Sequence, residues 1–351
     1  MSCNVGRLMV SLCAGVALVG ASLSAQLGVA TVMSGLDNPR GLAIGPEGAL
    51  YVAEAGRGGD GPCGTNAPGE TRCYGATGAV SRLWRGEQDR FATGLPSHAL
   101  PGGFQAIGPN DIAFVGRSAY VTLGLADDAS LRTELGRGGE LFGFLLQIPA
   151  SGRWKPIADV SLLEFSSNPG GGPIDTNPYG VLAEPGARIV ADAGANALVR
   201  VDASGRTRTI AVFPSRAQGR NTDAVPTAVV RGTDGAYYVS ELTGAPFALG
   251  AARIYRVVPG SVPQIYLSGF TTITDLEFDG DGNLYVVEHS TGPVFFQQPG
   301  RLLRVAPDGT REVVLSGLIR PTSVTIGWDG EVYVTNRGIT PGEGAVLRID
   351  P

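Results

Sequence analysis

The chain has 351 residues, and its 27 basic and 32 acidic residues give a formal net charge of −5. Because the basic residues form no run, the sequence lacks the electrostatic footprint of a nucleic-acid-binding protein. With 53 Gly, 24 Pro and 43% hydrophobic residues, it is too apolar for disorder and unusually rich in turn-forming residues. Length alone would suggest two domains, but the repeat described below predicts a single all-β domain.

Residues 1–25 have the pattern of a secretory signal peptide. Arg7 precedes an apolar run from Leu8 to Val19, and small residues follow through Ala25. The run is too short for a permanent membrane anchor. We therefore expect cleavage after Ala25, a secreted or periplasmic location, and a mature domain of residues 26–351 without a membrane span.

Two cysteines remain after cleavage, Cys63 and Cys73, in one Gly-rich segment. In an oxidising compartment they most simply form a disulfide. The alternative, a metal-binding pair, would need a histidine nearby, and the sequence offers none there.

A hairpin pattern recurs six times and is clearest from Ile273 to Glu288. Alternating apolar residues lead into the Gly-rich reversal Asp279–Gly282, and a second apolar strand follows. The pattern begins at Pro39, Pro109, Pro178, Pro226, Ile273 and Pro321. Third strands are predicted at 79–84, 141–146, 197–201, 253–258, 301–305 and 345–349, and fourth strands at 89–93, 154–158, 207–213, 263–267 and 310–315. Six repeated units of this kind predict a repeat architecture.

The missing fourth strand is predicted at the start of the mature chain. Val32–Leu36 reads V-M-S-G-L ahead of Asn38-Pro39, and Val314–Leu318 reads V-L-S-G-L ahead of Arg320-Pro321. The N-terminal strand should therefore complete the last blade and close the ring without a long unpaired sheet edge. The sequence predicts an all-β, six-bladed β-propeller.

Long segments fall on one predicted face of the propeller, opposite the short turns between first and second strands. Because binding usually resides in long loops on a rigid framework, we expect the functional site there, around the channel mouth. The segments are 56–78, 95–108, 124–139, 160–177, 214–225, 243–251 and 289–299.

One column of polar residues faces this mouth, at the start of each innermost strand. It comprises Arg40, Asn110, Tyr179, Thr227, Thr274 and Thr322. A ring of hydroxyls and amides with one guanidinium suits a polar or anionic ligand. The same groups are also suited to bonding exposed backbone at strand ends, and that alternative stays open.

A second column, at the end of each second strand, contains four carboxylates. It comprises Glu54, Leu123, Asp192, Glu241, Glu288 and Asn336. Hard cations want several oxygen ligands, so we consider a calcium site that draws on Glu54, Asn110, Asp192, Glu241, Asp275 and Glu288. The alternative is that these acidic residues accept hydrogen bonds from the backbone N–H groups of the loop that follows each of them.

Two further signals concern metal and acid–base chemistry. Asp279–Asn283 begins like an EF-hand loop, but Leu284 stands where Gly is needed, so the segment is predicted to be a hairpin turn. His98 and His289 are the only histidines, which excludes a zinc site built mainly of imidazoles. His289 directly follows Glu288 and is a candidate ligand-binding residue or general base.

Several longer motifs resemble the ScyD/ScyE family over essentially the whole mature chain. They are Asn38–Leu42, Tyr51–Gly56, Cys73–Val80, Asn177–Leu182, Ala191–Val201, Ala211–Arg216, Tyr237–Gly244 and Arg253–Gly260. The resemblance implies an exported six-bladed propeller, and the family has no established activity. In the related calcium-dependent lactonases, the metal ligands fall in the column of Arg40, where Asn110 alone matches.

We therefore expect an exported, monomeric binding or scaffold protein, whose partner is a small polar or anionic ligand or another protein. A calcium-dependent lactonase or esterase of the propeller class is the alternative. No cofactor is assigned, and calcium is the candidate to test.

Overall fold

A computed structural model describes residues 1, 28–65, 69–214, 216–218, 220–292 and 297–350 of the chain. The predicted signal peptide, apart from Met1, lies outside the described residues. In the part of the chain that the structure describes, no helix is long and apolar enough to cross a membrane.

The described residues form six antiparallel sheets arranged as the blades of a β-propeller, which confirms the predicted fold class. From the axis outward, blade 1 contains β2 (Pro39–Ile44), β3 (Leu50–Glu54), β5 (Thr71–Trp84) and β6 (Glu87–Ala99). Blade 2 contains β7 (Pro109–Val115), β8 (Ser118–Leu123), β9 (Phe144–Ile148) and β10 (Lys155–Asp159). Blade 3 contains β11 (Pro178–Glu184), β12 (Ala187–Asp192), β13 (Ala197–Asp202) and β14 (Thr207–Val212). A short strand, β4 (Cys63–Thr65), adds to β5 in blade 1.

Blades 4 to 6 repeat this order. Blade 4 contains β17 (Pro226–Arg231), β18 (Tyr237–Glu241), β19 (Ala252–Val257) and β20 (Gln264–Phe270). Blade 5 contains β21 (Ile273–Phe278), β22 (Leu284–Glu288), β23 (Gly300–Val305) and β24 (Arg311–Leu318). Blade 6 contains β25 (Val324–Ile326), β26 (Val332–Asn336), β27 (Gly344–Asp350) and β1 (Gly28–Leu36). α1 (Ala129–Glu134) and a 3₁₀ turn at Gly136–Gly138 lie within blade 2, between β8 and β9. The elements between blades are α2 (Leu162–Ser167), β15 (Arg216–Gln218), β16 (Arg220–Thr222) and a 3₁₀ turn at Pro101–Gly103.

The ring closes as the sequence predicts, because β1 pairs antiparallel with β27 from Gly28↔Asp350 to Leu36↔Gly344. The N-terminal strand therefore supplies the outer strand of the last blade. Met33 and Leu36 of this strand are buried with Leu42, Leu50 and Val52 of blade 1.

A separate apolar core fills each junction between neighbouring blades. At the junction of blades 4 and 5, for example, Ile254 and Phe270 pack with Leu276 and Val286, and all four side chains are buried. Alternation along each strand produces these cores, because every second side chain points to the same side of its sheet. The blades are therefore held together mainly through their faces.

Short turns connect the first and second strands as predicted. Asp279 Oδ1 accepts the backbone N–H groups of Asp281 and Asn283 at 3.0 and 2.8 Å, and Gly282 adopts a φ of 83°. This is the local geometry of a tight turn, in which a carboxylate replaces a backbone acceptor and glycine supplies the positive φ. The EF-hand-like segment is thus a hairpin turn.

Two features differ from the predicted strands. The third strand of blade 2 begins at Phe144 rather than at Leu141, because residues before it form helix α1 and turns on the face of the long loops. In blade 1, β5 and β6 extend far beyond the predicted 79–84 and 89–93, and they carry a hairpin extension over that face. We call residues 63–65, 71–78 and 95–99 the cap hairpin.

The cap hairpin is fixed by a disulfide and by an apolar cluster. Cys63 pairs with Cys73, which confirms the predicted disulfide. Tyr74 packs against a buried cluster that includes Leu131 of α1 and Phe142. Glycine at position 138 lets Tyr74 approach, since a Cβ there would lie 2.6 Å from Tyr74 Cε1.

Candidate functional site

The six side chains predicted to face the channel mouth form a ring at the loop-face end of the innermost strands, with Thr322 two residues before β25. We call Arg40, Asn110, Tyr179, Thr227, Thr274 and Thr322 the mouth ring. Four of them donate to the backbone carbonyl that begins the next blade: Asn110 to Pro178 at 2.9 Å, Thr227 to Ile273 at 2.9 Å, Thr274 to Pro321 at 3.4 Å and Thr322 to Pro39 at 2.8 Å. These four residues therefore link neighbouring blades, in agreement with the alternative that such side chains bond to exposed backbone at strand ends.

Arg40 differs from these four residues. Its Nη1 donates to the carbonyl of Gly338 at 3.0 Å and its Nη2 to that of Ala106 at 2.8 Å, so it joins the loops of blades 6 and 1. Burial lowers the pKa of Arg40, the charge of Arg72 lowers it further, and Tyr179 opposes both. No described residue accepts a hydrogen bond from its buried Nε.

The sequence did not single out Arg72, which the cap hairpin brings into electrostatic range of Arg40. The side chain of Arg72 is only 7% exposed, and its Nη2 lies 2.8 Å from Glu70 Oε2. Its buried Nε and Nη1 have no hydrogen-bond partner among the described residues. Because buried polar groups are nearly always hydrogen-bonded, the N–H donors that Arg40 and Arg72 leave unused are suited to an acceptor supplied by a ligand.

The two histidines flank this region as neutral groups. His289 is buried, its Nδ1–H donates to the carbonyl of Pro321 at 2.9 Å, and burial lowers its pKa to about 3. Burial likewise lowers the pKa of His98 to about 3, with a further contribution from the charge of Arg72. The ring of His98 meets Phe142 edge-on at 4.6 Å. The positive charge at the mouth therefore belongs to the arginines.

The second predicted column lies farther from the axis and accepts backbone hydrogen bonds. Each of four side chains binds the N–H of a residue just before the innermost strand of its own blade: Glu54 binds Asp37 at 2.6 Å, Asp192 binds Asn177 at 2.7 Å, Glu288 binds Thr271 at 2.6 Å and Asn336 binds Ile319 at 2.7 Å. Glu54 also pairs with Arg90 at 2.9 Å, and Glu288 pairs with Arg301. These acceptors therefore serve the segment that enters each blade, and Asp192 also accepts the N–H of Ala195 at 3.1 Å in the loop that follows its strand.

The candidate metal ligands are distributed around the ring. Glu54, Asn110, Asp192 and Glu241 belong to blades 1, 2, 3 and 4, while Asp275 and Glu288 belong to blade 5. Within the described ranges, no three His, Cys, Asp or Glu side chains form a group able to hold a metal ion.

Asp275 lies one level below the mouth ring, in a central cavity of about 340 Å³ that Asp111 and Glu277 also line. Asp111 accepts the N–H of Val181 at 2.7 Å, and Asp275 accepts that of Val324 at 2.9 Å, so both carboxyls join adjacent blades. Position 41 must be glycine here, because a Cβ would lie 2.0 Å from Asp111 Oδ1.

We call Asp111, Asp275 and Glu277 the channel carboxyls. Burial raises the pKa of Asp275 to about 6, and burial followed by the charge of Asp275 raises that of Glu277 to about 8. Burial and the same charge also raise the pKa of Asp111. The sequence analysis missed Asp111 and Glu277, although Asp111 and Asp275 share an offset of two residues from the start of their repeats.

Further cavities open on the face of the short turns, which the sequence analysis did not consider for binding. One of about 660 Å³ and one of about 430 Å³ lie on either side of Trp328. A third, of about 320 Å³, is lined by Tyr51, Trp84 and Phe91. Both faces of the propeller therefore carry features that can bind ligands.

Solved structures with the same fold support the propeller class. The chain is similar to a structural genomics protein of unknown function from Bacteroides thetaiotaomicron, with 10% identity over 92% of this chain and 76% of that chain and a TM-score of 0.59. It is also similar to aldose sugar dehydrogenase from Streptomyces coelicolor, with 15% identity, 93% and 98% coverage and a TM-score of 0.53.

Virginiamycin B lyase from Staphylococcus aureus is similar at 14% identity, with 89% and 82% coverage and a TM-score of 0.51. Neither a family model nor a curated protein sequence matches the chain. At such identities the structures show a shared fold, and a fold alone does not determine an activity.

Proposed function

We propose that this propeller is a binding protein that takes a small anion, carrying a carboxylate or phosphate group, between Arg40 and Arg72 at the loop-face mouth of the channel. The observation that carries the proposal is the pair of unused buried donors on Arg72, next to a second guanidinium whose pKa it lowers. Glu70 neutralises only one edge of Arg72.

Burial of two guanidinium groups favours an anionic ligand. An uncompensated buried charge costs several kcal/mol, whereas an anion shared by two guanidinium groups offsets that cost and satisfies their N–H donors. Guanidinium groups bind carboxylate and phosphate in a bidentate geometry, which gives direction as well as strength. Tyr179 of the mouth ring, which lies within electrostatic range of Arg40, supplies a neutral polar group beside the same site.

Arg72 is a sharper test than Arg40, because Arg40 also holds the carbonyls of Gly338 and Ala106 and its loss would lower stability directly. Calorimetric titration with inorganic phosphate and with citrate should show binding to the unmodified protein. For Arg72→Ala we expect a loss of about 2 kcal/mol or more, which is at least about 30-fold in affinity. Ligand-free thermal stability should stay constant or rise.

Arg117→Ala is the matched control, since Arg117 is exposed at the opposite face. It should bind both anions like the unmodified protein. If neither anion binds to the unmodified protein, or if Arg72→Ala binds as tightly, the mouth is not an anion site.

The alternative is a calcium-dependent hydrolase, which gains support from the shared fold of a putative gluconolactonase. Its test is elemental analysis of purified protein together with a panel of lactones and esters. Stoichiometric calcium that is lost in Asn110→Ala or Asp275→Ala, together with turnover, would favour the hydrolase over the binding protein.

We further propose that the protein is exported and belongs with the ScyD/ScyE type of propeller. The disulfide between Cys63 and Cys73 supports export, because such bonds persist in oxidising compartments. Free-thiol titration of protein recovered from its natural location tests this part of the proposal.

A further inference from the structure

A groove on the turn face, far from the mouth ring, is organised around Trp328. This side chain is 73% exposed at the tip of the turn between β25 and β26. Cavities of about 660 and 430 Å³ adjoin it, the first toward blade 5 and the second toward blade 1. We call this surface the Trp328 groove.

The groove has an apolar floor and a polar rim. Val314, Ile326, Val332 and Ile349 line the larger cavity beneath Trp328, and Tyr285 and Arg304 stand at its edge. Gly48 allows the indole to lie close to its backbone, because a Cβ at that position would lie 3.3 Å from Trp328 Cζ3. Cavities of this size that combine aromatic walls with a few polar groups are typical of ligand sites.

Part of the charge around the groove is balanced by neighbouring groups. Glu312 lies 3.7 Å from Arg304, and Glu331 accepts the hydroxyl of Tyr333 at 2.5 Å and lies 3.4 Å from Arg348. Asp279 accepts backbone N–H groups of its own turn. Asp281 and Asp329 also line the larger cavity, so its rim is acidic, disfavours an anionic ligand and offers carboxylate acceptors to hydroxyl groups. The surface therefore combines a flat aromatic face with surrounding hydrogen-bonding groups.

We propose that the Trp328 groove binds a neutral oligosaccharide. A pyranose ring has an apolar face that can stack on an exposed indole, and its hydroxyls can both donate to carboxylates and accept from guanidinium and phenol groups. Because cavities adjoin Trp328 on both sides, the groove fits a chain of several sugar units with one unit stacked on the indole.

The probes are cellopentaose and N-acetylchitopentaose, whose equatorial linkages give flat faces, with choline as the cationic competitor. Calorimetric titration of the full mature protein should show binding of at least one pentasaccharide and none of choline. Trp328→Ala should weaken that binding at least 10-fold, whereas Trp328→Phe should retain part of it.

Phe104→Ala is the matched control, because it removes another exposed aromatic ring from the loop face. It should leave sugar binding unchanged, as should Arg72→Ala, so that this site and the anion site are tested independently. Absence of binding to both pentasaccharides, tighter binding of choline, or unchanged binding by Trp328→Ala would each overturn the proposal.

Discussion

Glu277 in the central channel should make the stability of the propeller fall as pH rises. Its pKa is raised from 4.5 to about 8, first by burial and then by the charge of Asp275. Between these two values the folded protein holds a proton that the unfolded chain has released, so stability is lost progressively from about pH 4.5 to about pH 8. Glu277→Gln removes the charge while keeping the shape of the side chain.

The magnitude follows from the two pKa values. A difference between 4.5 and about 8, at about 1.4 kcal/mol per pH unit, gives an upper bound of about 5 kcal/mol. Because the cavity opens to water and Glu277 is only partly buried, screening reduces the expected gain to about 1–3 kcal/mol at pH 8.5. At pH 4.5 the variant and the unmodified protein should be nearly equal.

Urea unfolding followed by circular dichroism at pH 4.5, 6.5 and 8.5 measures the effect. Glu87→Gln is the control, since Glu87 is exposed at the start of β6 and the substitution makes the same chemical change. A Glu277→Gln variant that is no more stable than the unmodified protein at pH 8.5, or that shows the same pH dependence, would refute the reasoning.

Two further variants test the closure of the ring and the mouth. Leu36→Ala should lower stability by about 2–4 kcal/mol, because Leu36 is fully buried where β1 packs on blade 1. Thermal unfolding measures the loss. An unchanged melting temperature would mean that this junction does not hold the ring closed. Glu70→Ala should tighten binding of inorganic phosphate, because it frees the Nη2 of Arg72 from its ion pair. Calorimetry should show a lower dissociation constant. Weaker binding would instead mean that Glu70 positions Arg72.

The blades and their closure could be predicted because they are encoded locally and repeatedly. Alternating apolar residues and a Gly-rich turn recur at each of six starting positions, and the echo between Val32–Leu36 and Val314–Leu318 identifies the strand that completes the last blade. The mouth ring was predictable for the same reason, since each member follows the first position of its repeat. The repeat pattern does not predict segments that occur in only one blade.

The cap hairpin belongs to that part. Nothing in the spacing of Arg72 from the repeats places it near Arg40, because its position depends on long strands, a disulfide and packing of Tyr74 on a cluster from blade 2. The function of Asn110 and the threonines was equally open from sequence, since a polar side chain at a strand end suits a ligand and a neighbouring carbonyl alike. Their links to the next blade depend on distances that only the assembled ring defines.

The two ends of the channel have opposite electrostatic character, and this determines how an anion would reach the mouth. Arg40 and Arg72 lie at the loop-face end, whereas Asp111, Asp275 and Glu277 line the cavity toward the turn face. An anion entering from the turn face would pass these carboxyls, which repel it increasingly as they lose their protons. Entry from the loop face avoids that repulsion but requires passage beside the cap hairpin. The cap hairpin therefore contributes Arg72 to the end of the channel at which an anion meets no carboxyl of this set.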